Sequence, residues 1–465
     1  MAEPLWTGRE IAEAVGGRLE GGDFSVGGVS IDSRSLEAGE LFVALAGVRD
    51  GHEFVPTALG RGAAGVLASQ SVEAPAVLVE DTFKALEKLG EASRDRAAQA
   101  RRGAVTGSVG KTSVTQAVRV GLTLAGRSHS SVKSYNNHIG VPLTLARMPR
   151  DTERAVFEIG MNHADEISPL SRMVKPHAVA ITTVGPVHVE NFPDGEAGVA
   201  RAKAEIFAGL MPGGVAVLNA DNVWFDFLNR EALAAGAQVR AFGSGPNAAA
   251  SLIDFRPRAG GAVVTARMDD ERLEFPIRQS GFHWGLNSLA VLLMLEALDV
   301  TRDDALRALE AFEPLEGRGA ERDVRIPGGA CTLIDESYYA NPISMAAALA
   351  SLGARQPKGR RIVALTDMLE LGEEAPAYHA AVAKAVESAR IDQVFCAGPL
   401  MKHLWDALPP TRRGRYAETA AEIAPQVAHA AEPGDLVMVK GSNGSKAGVI
   451  AQALAALDAA PREAG

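Results

Sequence analysis

The fold of this chain is decided by residues 103–126, GAVTGSVGKTSVTQAVRVGLTLAG. The run GAVT predicts a strand, and apolar residues repeat at helical spacing from Val114 to Ala125, after which Gly126 can end the helix. The turn that joins them consists of Gly107, Ser108, Val109, Gly110, Lys111, Thr112 and Ser113. A bound phosphate requires bare backbone N–H groups, a helix N-terminus, a lysine and a hydroxyl within one turn, and this run supplies all of them. We therefore predict a phosphate-binding loop.

This loop departs from the common pattern at Val105. The usual phosphate loop has a glycine at that point, five residues before its Gly-Lys pair. A glycine-rich turn that only begins a helix is the alternative. The combination of strand, loop, helix and the GKT run favours the phosphate loop.

The composition is that of a globular protein with several domains. The chain has 465 residues, 47% apolar and 22% charged, which favours two to four domains. A net charge of −10 does not provide the basic surface that a nucleic-acid partner requires. No segment reaches the ~18 apolar residues of a membrane span and no signal peptide is visible, so we expect no membrane insertion. Two cysteines, Cys331 and Cys396, cannot form a disulfide framework and fit the reducing cytoplasm.

The order of strands and helices predicts three α/β domains. Residues 1–100 form a small unit with strands at 41–46 and 65–68 and an amphipathic helix at 81–102. Residues 101–318 form a mostly parallel sheet of the P-loop type, with strands expected at 103–106, 155–159, 179–184 and 215–218. Residues 319–465 form a Rossmann-like domain, with strands expected at 331–334, 362–366, 393–397 and 436–439. The central domain also contains a helix at 286–298, for which Asn287 or Ser288 is the expected cap, and the pattern breaks at 314–319.

Two further side chains are expected near the phosphate loop. Glu158 ends a predicted strand, which places its carboxylate at the edge where open α/β sheets bind ligands. His188 follows the next strand through a Gly185-Pro186 turn and reaches the same edge. Each has a plainer alternative, because a strand-ending glutamate is usually solvated and a loop histidine is usually incidental.

The run Leu333-Ile334-Asp335-Glu336 offers a competing interpretation. It resembles the apolar-Asp-Glu end of a Walker B strand, which would indicate an ATPase that drives mechanical or nucleic-acid work. However, it lies beyond the predicted domain break, and the acidic chain offers no track for a polyanion. No NKxD sequence is present, so a GTPase is not expected either.

Several motifs together resemble the Mur ligases, the ATP-dependent amide-forming enzymes of peptidoglycan precursor synthesis. The run TGSVGKTS is similar to that family's own phosphate loop, which explains Val105. The further matches, spread over about 440 residues, are DSR at 32–34, DGH at 50–52, NNHIGVP at 136–142, EIG at 158–160, AKAEI at 202–206, GR at 317–318 and DESYYANP at 335–342.

The motif at 335–342 indicates the branch of the family. It looks like the sequence of the ligases that add D-alanyl-D-alanine, whereas ligases that add single amino acids usually have a Tyr-Ala-His run there. Tyr339 stands where this motif usually has Asn, so no role is carried over to it. The resemblance implies UDP-N-acetylmuramoyl-tripeptide and D-Ala-D-Ala as substrates and ATP and Mg²⁺ as cofactors. We expect a monomer, although the sequence leaves the oligomeric state open. Whether the third peptide residue is diaminopimelate or lysine stays open.

The resemblance also implies roles for individual residues. Ser33, Arg34 and Asn137 would bind the UDP-linked substrate. Lys111 would neutralise the β- and γ-phosphates, while Thr112 and Glu158 would bind magnesium. His188 would bind a second ion near the acyl group. The remaining nucleotide contacts would be Asn287, Arg318, Asp335 and Asn341.

Lys203 is the residue for which the two lines of inference differ most. By pattern alone it is an ordinary solvated lysine on a helix. The resemblance instead implies that CO₂ carbamylates it and that the carbamate takes part in catalysis as a ligand of the second magnesium.

Three other functions stay open on the sequence. A sister ligase that adds one amino acid and a folate polyglutamylating ligase would share most of these motifs. A P-loop ATPase or nucleotide switch that couples turnover to partner binding comes from a different class.

Overall fold

The computed structural model describes residues 3–47, 49–131, 134–258 and 260–459. Within these ranges the chain forms three α/β domains, each on its own sheet, as the sequence predicts. No helix among the described residues has the length and apolar character needed to cross a bilayer. Cys331 and Cys396 are both buried and unbridged.

The N-terminal domain is built on a sheet with the strand order β2-β7-β6-β5-β4. Its elements are β1 (Trp6–Thr7), α1 (Gly8–Val15), β2 (Arg18–Glu20), β3 (Ser25–Val26), β4 (Gly28–Ser30), β5 (Glu40–Val43), α2 (Val55–Gly60), β6 (Gly65–Ala68), β7 (Ala76–Leu78) and α3 (Thr82–Arg96). The strands predicted at 41–46 and 65–68 are β5 and β6. The predicted helix is α3, which Asp81 caps by accepting from two backbone N–H groups.

The central domain has a nine-stranded sheet in the order β16-β15-β14-β13-β12-β11-β8-β10-β9. Its elements are β8 (Arg101–Thr106), α4 (Lys111–Ala125), β9 (Ser128–Ser130), α5 (Gly140–Ala146), β10 (Arg154–Glu158), α6 (Ile167–Val174), β11 (Ala178–Ile181), α7 (Glu196–Ala204), β12 (Val215–Asn219), α8 (Phe225–Ala234), β13 (Gln238–Gly243), β14 (Ala250–Arg258), β15 (Gly261–Met268), β16 (Glu271–Ile277), α9 (Trp284–Ala297) and α10 (Arg302–Ala311). Strands β8 to β14 pair in parallel, and β15 and β16 extend the sheet in antiparallel fashion beyond β14.

The register of the central strands positions the site. Glu158 at the end of β10 pairs with Val105, and Ile181 at the end of β11 pairs with Thr106. The phosphate loop after β8, the Glu158 carboxylate and the segment after β11 therefore leave the sheet at the same edge.

The predicted cap of α9 is wrong. The helix begins at Trp284, and no side chain caps it. Trp284 is buried in the core, and its backbone N–H donates to the carbonyl of Gly281 at 2.9 Å. The helix therefore starts earlier than the periodicity indicates. Asn287 therefore lies inside the first turn, where its amide faces Gly110 instead of capping the helix.

The C-terminal domain has a six-stranded sheet in the order β17-β18-β22-β19-β20-β21. Its elements are β17 (Ala320–Ile326), β18 (Gly329–Glu336), α11 (Pro342–Gly353), β19 (Arg361–Thr366), α12 (Ala375–Ser388), β20 (Gln393–Ala397), α13 (Met401–Ala407), β21 (Arg413–Ala417), α14 (Ala420–Ala430), β22 (Leu436–Lys440) and α15 (Gly448–Ala456). The four strands predicted here are β18, β19, β20 and β22. The pattern break at 314–319 is the connection between α10 and β17, where Gly317 and Gly319 have positive φ angles.

Candidate nucleotide-binding and catalytic site

The phosphate loop needs glycine at two positions. Gly107 has φ +144°, and a Cβ there would lie 2.0 Å from Oγ1 of Thr182. Gly110 has φ +86° at the N-terminus of α4, a left-handed conformation that favours glycine. Together these glycines let the loop turn tightly against the end of β11.

Hydrogen bonds attach the loop to the segment after β11. The Ser108 N–H donates to the carbonyl of Thr183 at 2.8 Å, and the Ser108 hydroxyl lies 3.1 Å from the carbonyl and 3.0 Å from the N–H of Gly185. Thr182 donates its hydroxyl to the Val109 carbonyl at 2.5 Å. Val109 and Gly110 donate no backbone N–H to any residue in the described part of the chain, so these two groups are available to a ligand.

Lys111 curls back over the loop that carries it. Its Nζ donates to the Gly107 carbonyl at 2.7 Å. Enclosure of the ammonium lowers the pKa of Lys111, and the Glu158 carboxylate opposes that shift. A ligand phosphate in this enclosed space would give the ammonium a stronger partner than a carbonyl.

A cavity of about 230 Å³ opens in front of the loop. Most of the side chains predicted for phosphate and metal binding line it: Lys111, Thr112, Glu158, His188 and Arg318, with Asn136 and Tyr339 beside them. Arg318 also stacks on Tyr338, with its guanidinium 4.4 Å from the ring centre. The structure thus brings together residues that are far apart in the sequence.

Glu158 is not the solvated strand end of the plainer alternative, because only 1% of it is exposed. Its Oε1 accepts from Nδ2 of Asn136 at 2.7 Å. Its Oε2 is buried and has no partner among the described residues. A buried carboxylate oxygen without a partner is costly, and a cation would satisfy it.

His188 sits at the cavity wall in a left-handed conformation, with φ +53°. Its Nδ1 lies 2.6 Å from Oε2 of Glu370 in the C-terminal domain, without the geometry of a hydrogen bond. Burial, together with the charges of Lys111 and Lys203, lowers the pKa of His188 to about 4. The imidazole is therefore neutral at neutral pH and can act as a ligand.

Lys203 lies on α7 and is almost fully buried, with 1% exposed, so the interpretation as a solvated lysine is wrong. Burial, and next the charge of Lys111, hold the pKa of its amine well below the usual range. Glu205, two residues later, accepts three backbone N–H groups of residues 165–168 and so ties this segment to the start of α6. A lowered pKa increases the unprotonated fraction of the amine, and the unprotonated form is the nucleophile.

A second cavity of about 220 Å³ adjoins the loop on the other side. Apolar side chains from two domains, including Leu286, Ile343 and Ala347, line it together with Asn287 and Arg318. A largely apolar slot with a few polar groups is suited to a flat ring such as a nucleobase. The predicted nucleotide contacts Asn287 and Arg318 thus lie where a nucleotide on the loop would extend.

Sequence reasoning missed one charged residue of this second cavity, Lys440. Lys440, at the end of β22, is 1% exposed, and its Nζ lies 3.3 Å from Oε2 of Glu336 and 3.0 Å from the carbonyl of Tyr339. The signal that could have found it is a lysine directly after an apolar strand and before the glycine-rich run GSNGS.

The other predicted residues do not line either of these two cavities. Asp335 faces a separate cavity of about 530 Å³ between β18 and α15. Asn341 caps α11 through its side chain and is 2% exposed. In the N-terminal domain Ser33 is buried, and Arg34 pairs with Asp32 at 2.8 Å. Asn137 accepts from the N–H groups of Ile139 and Gly140 at the start of α5.

The loop with its free N–H groups, at the carboxyl edge of a parallel sheet, defines a nucleotide-binding protein of the P-loop class. Two family models narrow this class. Residues 105–295 match the model described as "Mur ligase middle domain", and residues 324–443 match "Mur ligase, glutamate ligase domain". The chain belongs to the Mur ligase family.

Individual relatives agree with this membership. A protein of Bacillus subtilis (strain 168) named "UDP-N-acetylmuramoyl-tripeptide--D-alanyl-D-alanine ligase" is 32% identical over 457 residues, covering 95% of this chain and 96% of the relative. The crystal structure of MurF from Acinetobacter baumannii superimposes with a TM-score of 0.85 at 25% identity, covering 97% of this chain and 99% of that one. MurF ligase from Thermotoga maritima in complex with ADP shares the fold, with a TM-score of 0.77 at 20% identity over 93% and 98% of the two chains.

The glycine requirement of the loop yields a testable prediction. In Gly107→Ala, the new Cβ would lie 2.0 Å from Oγ1 of Thr182 in a backbone conformation that strains alanine, so the loop must shift. We expect a loss of about 1–3 kcal/mol in the free energy of unfolding and clearly weaker binding of ADP. Denaturant titration and calorimetry measure the two effects.

The matched control is Gly60→Ala, at an exposed helix end where no atom lies within 4 Å of the added carbon. It should leave both values unchanged. Wild-type ADP affinity in Gly107→Ala would contradict the account of the loop.

Proposed function

We propose that the protein is an ATP-dependent ligase that joins D-Ala-D-Ala to UDP-N-acetylmuramoyl-tripeptide, which completes the pentapeptide precursor of peptidoglycan in the cytoplasm. The observation that carries the proposal is the cavity at the phosphate loop, where Lys111, an unpaired oxygen of Glu158 and neutral His188 face one space. The similarity to ligases of that name extends along nearly the whole chain, including the C-terminal domain.

The reaction must overcome the poor electrophilicity of a carboxylate. A terminal carboxylate oxygen of the tripeptide attacks the γ-phosphorus of ATP, and the bond from that phosphorus to the ADP oxygen breaks. The product is an acyl phosphate. The amine of D-Ala-D-Ala then attacks its carbonyl carbon, loses a proton and expels inorganic phosphate. Lys111 and the loop N–H groups stabilise the charge on the transferred phosphoryl group.

An acyl phosphate reacts readily with water, so the site must be closed while it exists. Tyr338 and Tyr339 of the C-terminal domain line the cavity at the phosphate loop, and the Tyr339 hydroxyl contacts the loop itself. The C-terminal domain therefore supplies part of the wall that keeps water out.

Magnesium fits the residues present. Glu158 offers a buried oxygen without a partner, and Thr112 places a hydroxyl at the N-terminus of α4. The described residues contain no cluster of three or more His, Cys, Asp or Glu side chains, which agrees with an ion held by one or two protein groups and the nucleotide phosphates. We assign Thr112 and Glu158 to one ion and His188 and Lys203 to a second. Bound magnesium neutralises charge on the β- and γ-phosphates.

The three domains divide the remaining tasks. Residues 1–100 would hold the UDP end of the substrate, with Ser33, Arg34 and Asn137. Residues 101–318 would hold ATP through the loop, Asn287 and Arg318. Residues 319–465 would complete the nucleotide site and bind the dipeptide, with Asn341 acting through its bond to Tyr339 and Asp335 from its separate cavity. We propose that the protein works as a monomer.

The proposed function predicts a strict substrate requirement. Release of phosphate from ATP should need both UDP-N-acetylmuramoyl-tripeptide and D-Ala-D-Ala, should stop with EDTA and should return with magnesium. A site built for a dipeptide contacts the second residue and its carboxylate, so free D-alanine should be a very poor acceptor. A coupled phosphate-release assay with paired substrates measures this.

The same assay separates the alternatives. Efficient addition of single amino acids would move the assignment to a sister ligase, and turnover with a folate and glutamate would move it to a folate polyglutamylating ligase. Hydrolysis without either substrate, or with a protein partner only, would favour a switch or motor ATPase.

Lys203 generates the second functional prediction. Its low pKa leaves the amine lone pair free to attack CO₂, with release of one proton, and the resulting carbamate is an oxygen ligand suited to magnesium. A negative group there would also attract the nearby Lys111 ammonium. Lys203→Ala should lose most of the activity, and short carboxylates such as formate or acetate should restore part of it.

Lys384→Ala, on the exposed face of α12, is the control. It should keep wild-type activity, and added carboxylate should not alter that activity. An inactive Lys203→Ala that no carboxylate restores would remove the support for a carbamate. A fully active one would exclude any essential role for Lys203.

A further inference from the structure

Tyr339 touches the phosphate loop from another domain. Its hydroxyl lies 3.1 Å from the carbonyl oxygen of Ser108, although the two residues are 231 positions apart. Tyr339 follows β18 in the C-terminal domain and stands where the motif at 335–342 usually has Asn. An Asn side chain is several ångströms shorter and would not reach the loop from the same backbone position.

The direction of this hydrogen bond is fixed by its neighbours. Oδ1 of Asn341 accepts from the N–H of Ser344 at 2.8 Å, so the amide nitrogen of Asn341 faces Tyr339 and donates to its hydroxyl oxygen at 3.2 Å. The Tyr339 proton is therefore left for the Ser108 carbonyl. Burial raises the pKa of Tyr339 to about 12, so this proton is present at any physiological pH.

The backbone of Tyr339 is held as firmly as its side chain. The ammonium of Lys440 donates to the Tyr339 carbonyl at 3.0 Å. Asn341 belongs to a capping box at the N-terminus of α11, in which it and Ser344 each accept from the other's backbone N–H. The hydroxyl is therefore presented by a rigid support and not by a flexible loop.

The Ser108 carbonyl matters because of the peptide unit it belongs to. A trans peptide is planar, and its C=O and N–H point in opposite directions. A donor on the Ser108 oxygen therefore fixes the direction of the Val109 N–H, which donates to no residue in the described part of the chain. The neighbouring peptide units are fixed in the same way, by Lys111 at the Gly107 carbonyl and by Thr182 at the Val109 carbonyl.

We propose that Tyr339 is a positioning residue that aims the Val109 N–H at a nucleotide phosphate when the C-terminal domain is docked on the loop. Of the three donors, Lys111 and Thr182 belong to the central domain, and Tyr339 alone of these three comes from the C-terminal domain. Docking and nucleotide binding therefore strengthen each other. The inference rests on the proposed function only in taking the loop as the nucleotide site.

The test uses Tyr339→Phe in the full chain, which removes the hydroxyl and keeps the ring. Affinity for magnesium-ADP should fall about three- to tenfold, the range for one neutral hydrogen bond. In the protein without nucleotide, hydrogen exchange in the peptide covering residues 105–112 should speed up, while exchange elsewhere stays the same. The KM for ATP should rise and the KM for the UDP-linked substrate should not.

Tyr416→Phe is the matched control, because it removes a hydroxyl of the same domain that bonds to the exposed Glu418. It should change none of these values. A second variant, Asn341→Asp, keeps the tyrosine and the helix cap but turns the hydroxyl proton toward the new carboxylate. Its exchange at residues 105–112 should rise as in Tyr339→Phe, and this measurement decides the question if Tyr339→Phe folds poorly.

Unchanged magnesium-ADP affinity and unchanged exchange at residues 105–112 in Tyr339→Phe would overturn the proposal. Weaker nucleotide binding in Tyr339→Phe, combined with a wild-type protein that does not ligate D-Ala-D-Ala, would uphold the role of Tyr339 and reject the proposed function. The two hypotheses therefore fail separately.

Discussion

A backbone N–H can hold a phosphate only if it is left unpaired by the protein and yet held in one direction. The phosphate loop meets both conditions, because donors fix its carbonyl oxygens while the N–H groups of Val109 and Gly110 stay free. Unpaired N–H groups are costly when they are shielded from water, so the loop is prepared for an anion before one arrives. The positive φ angles at Gly107 and Gly110 make this arrangement possible.

The rest of the site follows from the parallel sheet. Since β8, β10 and β11 are neighbours and run in the same direction, their carboxyl ends deliver the loop, Glu158 and His188 to one edge. The core beneath is apolar, so the charged groups at this edge are enclosed. Enclosure leaves His188 neutral, lowers the pKa of Lys203 and leaves an oxygen of Glu158 without a partner. These properties suit a centre that binds cations and phosphates together.

The spacing of apolar residues was enough to predict most of the strands and helices around the site. Periodicity was enough to predict the strand and helix on either side of the loop and the four C-terminal strands. It also placed Glu158 at the end of a strand. The start of α9 was not, because the burial of Trp284 extends the helix beyond its periodic part. The antiparallel strands β14 to β16 were also missed, since their apolar residues alternate without the βαβ spacing used to find the others.

The contacts between domains could not be predicted from the sequence at all. Burial of Lys203 depends on the packing around α7, and the pairing of His188 with Glu370 joins two domains. The bond from Tyr339 to Ser108 joins residues 231 positions apart, and no spacing rule connects them. The resemblance to the Mur ligases implied roles for most of the polar side chains in the cavity in front of the loop. It implied no role for Tyr339 and none for Lys440.

The central claim is that an acyl phosphate forms, and it is tested most directly by following an oxygen atom of the tripeptide carboxylate. If the tripeptide carboxylate attacks the γ-phosphorus, one of its oxygens leaves with the phosphate when the D-Ala-D-Ala amine displaces it. Turnover of UDP-N-acetylmuramoyl-tripeptide labelled with ¹⁸O in that carboxylate should therefore give inorganic phosphate that carries ¹⁸O, as measured by mass spectrometry. Unlabelled phosphate released together with the amide product would contradict the account.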